Sequence, residues 1–449
     1  MIFPYGINFI KSDRSFSRVG FARRFYHMIQ LRPVKTIGAA FVCNFALQTP
    51  VVYGQDEHQL NIFRDAPYTS ARHLSVPVDD IWWTATGDQM AWMHKNVHQI
   101  FPTVNVYRRG RVSILQTAGQ NVDVLQVETE EGPVELDEFI SSEASAILGM
   151  IVLHRGKIVF ESYPRMQPYE KPIYWSVTKI MPALLVRLFE ERGLINTARA
   201  IDSYIPELSS SAFSGIKVRN ILDMSSGLDC QDDYSNRKSC YYQYSMAIGD
   251  GYRDEASPDN PYDFLRTLEA QRVSDQGTSF SYSGVNTFIL SWLIESIAQK
   301  PFHDVFTDEV WSKIGAESDA SFLAYRYGIP LTHGGFLSNM RDMARFGLLF
   351  TPSYEIVSNE KIVSDETLNL LLHQPNPNLV NIDGSHNSYQ WDRIDDDGFM
   401  FKGGWGGQGL VVNPILDVVA VYTGYYKDDF SQAEVLDPLI ATLRRSFAE

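Results

Sequence analysis

Apolar positions along this chain recur in two periods. From residue 145, "AILGMIVLHRGKIVFESY" sets two apolar runs around "HRGK", which predicts a hairpin with Gly156 in its turn. The segment "GLVVNPILDVVAVYTGYY" (409–426) repeats the pattern as strand, turn at Asn413-Pro414, and strand. Between these ends the period changes to that of helices. A long apolar run opens at 177. "VRNILDMSSGLDC" (218–230) predicts a short helix ending at Gly227. "NTFILSWLIESIAQK" (286–300) and "NMRDMARFGLLF" (339–350) read as amphipathic helices, and a last helix falls near 434–447. Residues 230–262, rich in Asp, Tyr, Ser, Asn, Gly and Pro, read as a long polar loop, a lid or substrate wall. Strands at both ends with helices between predict one antiparallel sheet covered by helices, an α+β class.

The first 54 residues break this pattern. They carry seven basic residues against one acid, Asp13, and lead into the short apolar run "IGAAFVCNFAL" (37–47). Such an order reads as a leader for export, to the periplasm or outside the cell, with a cytoplasmic protein as the alternative. The run is too short to span a bilayer comfortably, so no stable membrane span is expected. Residues 55–140 form an N-terminal extension with no assignable chemistry; Trp82, Trp83 and Trp92 read as packing residues, with the lining of a cleft as the alternative. The remaining domain is 141–449.

Composition narrows the function. With 449 residues, 44% of them hydrophobic, the chain can bury a large core. A formal net charge of −15 argues against a nucleic-acid partner, since phosphate binding needs a basic surface. The ten histidines are scattered, without CxxC or HExxH, so neither a metal nor another cofactor is expected. Beyond Cys43, only Cys230 and Cys240 remain, a pair that can close a small loop in an oxidising compartment.

Four Ser-x-x-Lys spacings occur: Ser176/Lys179, Ser214/Lys217, Ser235/Lys238 and Ser358/Lys361. Only Ser176 opens a long apolar helix after aromatic residues. Three residues apart on a helix are neighbours, so Lys179 can set its amine beside the Ser176 hydroxyl. A buried lysine loses its proton more easily and can activate the serine. The bland alternative is a capping serine and a surface lysine. Two further segments bear on this choice. In "TSFSYSGVNTF", Tyr282 sits in a Ser/Gly turn ahead of a helix. In "FKGGWGGQGLVV", Lys402 precedes five glycines in seven residues, which lets a strand edge approach a ligand. Pro182 lies inside the predicted helix and marks either a kink or a 3₁₀ start.

In this order, Ser-x-x-Lys, a Tyr turn and Lys-x-Gly resemble the penicillin-recognising (serine beta-lactamase-like) hydrolases. The tyrosine motif fits the class C side. "YSGVNT" is similar to the 6-aminohexanoate-dimer hydrolase and family VIII carboxylesterase branch, with Gly284 in place of a serine. The resemblance spans roughly 145–440. It implies a beta-lactamase/transpeptidase-like fold, an antiparallel sheet flanked by helices plus an all-helical subdomain. It implies Ser176 as nucleophile and Lys179 with Tyr282 as proton-transfer pair. It further implies the backbone N–H groups of Ser176 and Trp405 as oxyanion hole, and Lys402, Gly403 and Gly404 along the substrate. Gly403 stands where the family has a threonine, which weakens an antibiotic-hydrolysing reading. The expected function is hydrolysis of a small-molecule ester or amide through an acyl-enzyme. The rivals are a beta-lactamase or D-alanyl carboxypeptidase, and a non-catalytic sensor on the same fold.

Overall fold

The computed structural model describes residues 84–118, 125–129, 132–251, 253–431 and 434–448. The expected leader, Cys43, Trp82 and Trp83 lie outside them. Among the described residues, helix Gly87–Asn96 comes first, then strand β1 (Thr103–Val106) and a small hairpin of β2 (Gln126–Thr129) and β3 (Gly132–Glu135). A short helix, Leu136–Ser141, leads into β4 (Ile147–His154) and β5 (Lys157–Ser162). The β4–β5 turn holds Arg155 and Gly156 at positive φ, the two-residue turn whose twist suits a hairpin.

A helical region follows. Its longer members are Ile180–Glu191, Cys240–Ile248, Gly284–Ala298 and Phe302–Glu309. Strand β6 (Ala320–Leu323) pairs with both β1 and β7 (Phe336–Leu337) in a three-stranded sheet. Helices Met340–Leu348 and Asp365–His373 come next. The chain then lays down β8 (His386–Ser388), β9 (Trp391–Ile394), β10 (Met400–Gly404), β11 (Gln408–Asn413) and β12 (Val418–Gly424), and ends in helix Leu436–Phe447.

The main sheet is antiparallel, in the order β5-β4-β12-β11-β10-β9-β8. Side chains alternate between its faces. Ile151, Leu153, Val419 and Val421 join the large core beneath the helical region. Met150, Val152, Val418, Ala420 and Tyr422 face a second core with helix Leu436–Phe447 and the 125–140 segment. Both faces are covered, so the central strands read as continuous apolar runs.

Three expectations change. The helix at 218 ends at Leu222, not Gly227. Met224 takes the left-handed conformation, and Ser225 N–H reaches back to the Asn220 carbonyl at 2.8 Å, which closes the helix early. Gly227 is required for another reason: a Cβ there would lie 2.3 Å from the Ser274 carbonyl oxygen. The 230–262 segment is not a plain loop, for it contains helix Cys240–Ile248. Ser239 caps that helix by accepting from Tyr242 N–H, and Gly249 ends it at positive φ. Helix Gly284–Ala298 is buried on every side from Gly284 to Ile294 rather than amphipathic.

The 84–106 segment packs into the large core: Met90, Trp92, Met93 and Val106 are buried there. Cys230 and Cys240 form a disulfide with Cα atoms 4.9 Å apart. Among the described residues, no helix is long and apolar enough to cross a membrane.

Candidate active site

Ser176 lies in a 3₁₀ segment, Trp175–Lys179, and the α-helix proper begins at Ile180. In a 3₁₀ turn, side chains three apart stack directly above one another. Lys179 Nζ accordingly donates to Ser176 Oγ at 3.0 Å. Pro182 is the third residue of the α-helix, where backbone N–H groups have no partner within the helix, so its missing N–H costs nothing there. The segment is pinned from behind. Tyr174 N–H donates to the Phe336 carbonyl at 2.9 Å, and Phe336 N–H donates to Thr178 Oγ1 at 3.1 Å.

Lys179 is buried and also donates to the His333 carbonyl at 2.7 Å. Burial lowers its pKa to about 8; the nearby Asp232 carboxylate opposes the fall, and Lys402 adds to it. Ser176 itself is half-buried, whereas Lys179 is 1% exposed.

Tyr282 lies in the turn before helix Gly284–Ala298. Its ring has the Lys179 ammonium 4.9 Å from its centroid and the Lys402 ammonium 4.8 Å away. Lys402 Nζ also reaches Tyr282 OH at 3.4 Å. Both lysine amines thus lie against the one phenol ring, and Lys402 reaches its hydroxyl as well. The turn is stapled by the chain just after Cys230. Asp232 N–H donates to the Tyr282 carbonyl at 3.0 Å, Gly284 N–H donates to Asp232 Oδ1 at 2.6 Å, and Ser283 Oγ donates to the Cys230 carbonyl at 2.5 Å. Gly284 has a steric reason: a Cβ would lie 2.8 Å from the His333 ring and 3.0 Å from Tyr241.

Lys402, on β10, is fully buried and pairs with Asp392 at 2.6 Å. Asp392 Oδ2 also accepts Gly403 N–H at 3.0 Å. Burial lowers the Lys402 pKa, and Asp392 opposes that shift. Beyond Lys402 the strand emerges: Gly403, Gly404 and Trp405 are half-buried, like Ser176 and Tyr282. Gly404 comes so close to the segment before Ser176 that a Cβ would lie 2.4 Å from the Tyr174 carbonyl oxygen. The three distant segments that carry Ser176/Lys179, Tyr282 and Lys402–Trp405 thus meet at one place.

Sequence reasoning missed four neighbours. Asp232 and Asp250 are buried carboxyls whose pKa values burial raises, that of Asp250 to about 7. Tyr234 and Tyr325 donate to Asp250 at 3.1 and 3.4 Å. His333, whose carbonyl holds Lys179, and Asp392 complete the set. No motif marks these residues: Asp232, Asp250 and His333 act through contacts across long stretches of chain, and Asp392 through a neighbouring strand.

The site can be set beside known proteins. The Beta-lactamase family profile matches residues 137–437. The chain is 24% identical over 362 residues to a 6-aminohexanoate-dimer hydrolase of Paenarthrobacter ureafaciens, covering 78% of this chain and 89% of that protein. It superposes on a candidate 6-aminohexanoate-dimer hydrolase from Bacillus anthracis with a TM-score of 0.68 and 20% identity, over 83% of this chain and 96% of the other. A family VIII carboxylesterase shares the fold with a TM-score of 0.50 and 15% identity, over 69% and 94% of the two chains. Fold, matched span and relatives agree: the chain belongs to the beta-lactamase family of serine hydrolases.

Proposed function

We propose that the protein hydrolyses a small ester or amide through an acyl-enzyme on Ser176. The carrying observation is the buried Lys179 amine, 3.0 Å from the half-buried Ser176 Oγ and 4.9 Å from the Tyr282 ring centroid. Ser176 Oγ attacks the substrate carbonyl carbon while its proton passes to Lys179. The carbonyl oxygen becomes an oxyanion, held by the backbone N–H groups of Ser176 and Trp405. Tyr282, beside both lysines, relays the proton to the leaving alcohol or amine as the carbonyl bond to it breaks. Water then attacks the Ser176 ester by the same route in reverse, releasing the acid and restoring the serine.

An ester or amide is favoured over a beta-lactam for two reasons. Gly403 offers no hydroxyl beside Lys402, and the Lys402 ammonium is engaged by Asp392. The relative from Paenarthrobacter ureafaciens, a 6-aminohexanoate-dimer hydrolase, supports the same direction. The Cys230–Cys240 disulfide and the basic leader support an exported protein.

The test is a substrate panel run beside Ser176→Ala. Wild type should take a fluorophosphonate label and the variant should not; full labelling of the variant would overturn the nucleophile. Short-chain p-nitrophenyl esters should turn over faster than a chromogenic cephalosporin, and the reverse order would make the protein a beta-lactamase in practice.

A further inference from the structure

Trp175, immediately before the nucleophile, has φ +44°, a left-handed conformation that a tryptophan adopts only under constraint. The constraint comes from the N-terminal segment, outside the matched family region. Trp175 Nε1 donates to His94 Nε2 at 3.0 Å. An indole nitrogen is only a donor, so His94 Nε2 carries no proton and Nδ1 does. His94 Nδ1 then donates to the Gly424 carbonyl at 2.8 Å. The ring is 1% exposed, and burial lowers its pKa to about 4, so it stays neutral wherever the protein is folded and active.

His94 also touches the other side of the cleft. Gly406, at φ +75°, packs so close that a Cβ there would lie 2.6 Å from His94 Cε1. Gln408 lies against the same imidazole and donates from Nε2 to the carbonyls of Trp405 at 3.2 Å and Gly424 at 2.9 Å. The His94 backbone joins in, since its carbonyl accepts Ile173 N–H at 2.8 Å. One buried imidazole therefore fastens the residue before Ser176 and the turn that presents Trp405.

We propose that His94 is a positioning residue for acyl transfer, whose neutral imidazole sets the spacing of the Ser176 and Trp405 backbone N–H groups by holding the Trp175 indole and the 405–408 turn together. This rests on the reading of those two groups as the oxyanion hole. His94 touches no reacting atom. Its contribution is geometric, and oxyanion donors displaced from their target lose their effect on the rate.

The experiment compares His94→Phe, His94→Gln and Trp175→Phe with wild type, each corrected for active sites by fluorophosphonate titration. His94→Phe should lower kcat/KM for a p-nitrophenyl ester, and the rate constant of labelling, by about tenfold to a hundredfold. The apparent pKa of its pH profile should not move, because His94 does not titrate in that range. His94→Gln, which can still accept from Trp175 and donate to Gly424, should recover most of the loss. Trp175→Phe removes only the donor and should reproduce the His94→Phe defect; it decides the matter if His94→Phe does not fold. Wild-type rates per titrated site in His94→Phe or Trp175→Phe would overturn the proposal, as would a shifted pH profile. A merely structural role would lower stability and the number of active sites, leaving the rate per site intact. If Ser176→Ala still labels, the acyl-enzyme reading itself fails. If that variant is dead and His94→Phe is unaffected, only the positioning role fails.

Discussion

Lys402 and Asp392 face each other one step beyond the last paired residues of β9 and β10, with Nζ 2.6 Å from Oδ1. The lysine that sequence reading places along the substrate is anchored from behind by a carboxylate, and its free side meets the Tyr282 hydroxyl. It acts on the cleft through charge more than through exposure.

Breaking this pair should be costly. Asp392→Ala leaves a buried ammonium unpaired, a change worth about 3–5 kcal/mol of stability. Lys402→Met combined with Asp392→Ala should recover most of that loss in a urea melt but not the activity, because Tyr282 would lose its second cation. An Asp392→Ala protein as stable as wild type would refute the pairing.

The pH profile should carry the mark of Lys179. Its ordinary pKa of 10.5 falls to about 8 on burial, so the neutral amine, the proton acceptor of the proposed acyl transfer, appears as pH rises past that point. kcat/KM should climb between about pH 7 and 9, as a property of the coupled lysine and tyrosine cluster. Stability should rise over the window from 8 to 10.5, where the unfolded lysine keeps a proton that the folded one has given up. A flat activity profile from pH 6 to 9 would remove Lys179 from the proton path.

Asp250 should leave the opposite trace in stability. Its pKa rises from 3.8 to about 7, so between these values the folded protein holds a proton that the unfolded chain has lost. Stability should fall as pH climbs through that window. Asp250→Asn should flatten the fall, read as unfolding free energy from urea melts at pH 5 and 7.5. An equal slope in both proteins would show that Asp250 is ionised throughout.

The disulfide should support both stability and catalysis. Closing the ten-residue separation between Cys230 and Cys240 is worth about 3 kcal/mol. The bridge also anchors the stretch from Cys230 to Asp232 that staples the Tyr282 turn. Replacing both cysteines by serine should lower the melting temperature and kcat/KM together. Loss of stability with unchanged kcat/KM would separate the loop from the tyrosine.

What the sequence made legible was local. The apolar runs of β4, β11 and β12 exposed the sheet, because strands buried on both faces are apolar throughout, and the Arg155-Gly156 turn marked β5 as the hairpin partner of β4. Ser176 stood out from three equal spacings because an apolar helix follows it. Helix Cys240–Ile248 escaped notice because tyrosines supply most of its buried surface and read as polar. Helix Gly284–Ala298 looked amphipathic because Asn286, Thr287 and Ser291 are polar yet buried; Thr287 meets Gln390 and Ser291 meets Thr332 through side-chain hydrogen bonds. His94, Asp232, Asp250, His333 and Asp392 were invisible for one shared reason. Each matters through a residue fifty to three hundred positions away or across a hairpin edge, or through burial that no local pattern records.

Pro182 sets an angle. A 3₁₀ segment advances about 120° per residue and an α-helix about 100°, so three residues bring Lys179 back over Ser176 in the first geometry and leave it about 60° to one side in the second. By offering no N–H to the Thr178 carbonyl, the proline stops the α-helix from growing backwards through Ser176. A residue that touches neither Ser176 nor the substrate thereby acts as a phase lock, keeping the amine and the hydroxyl on one azimuth while the core helix continues at its own pitch.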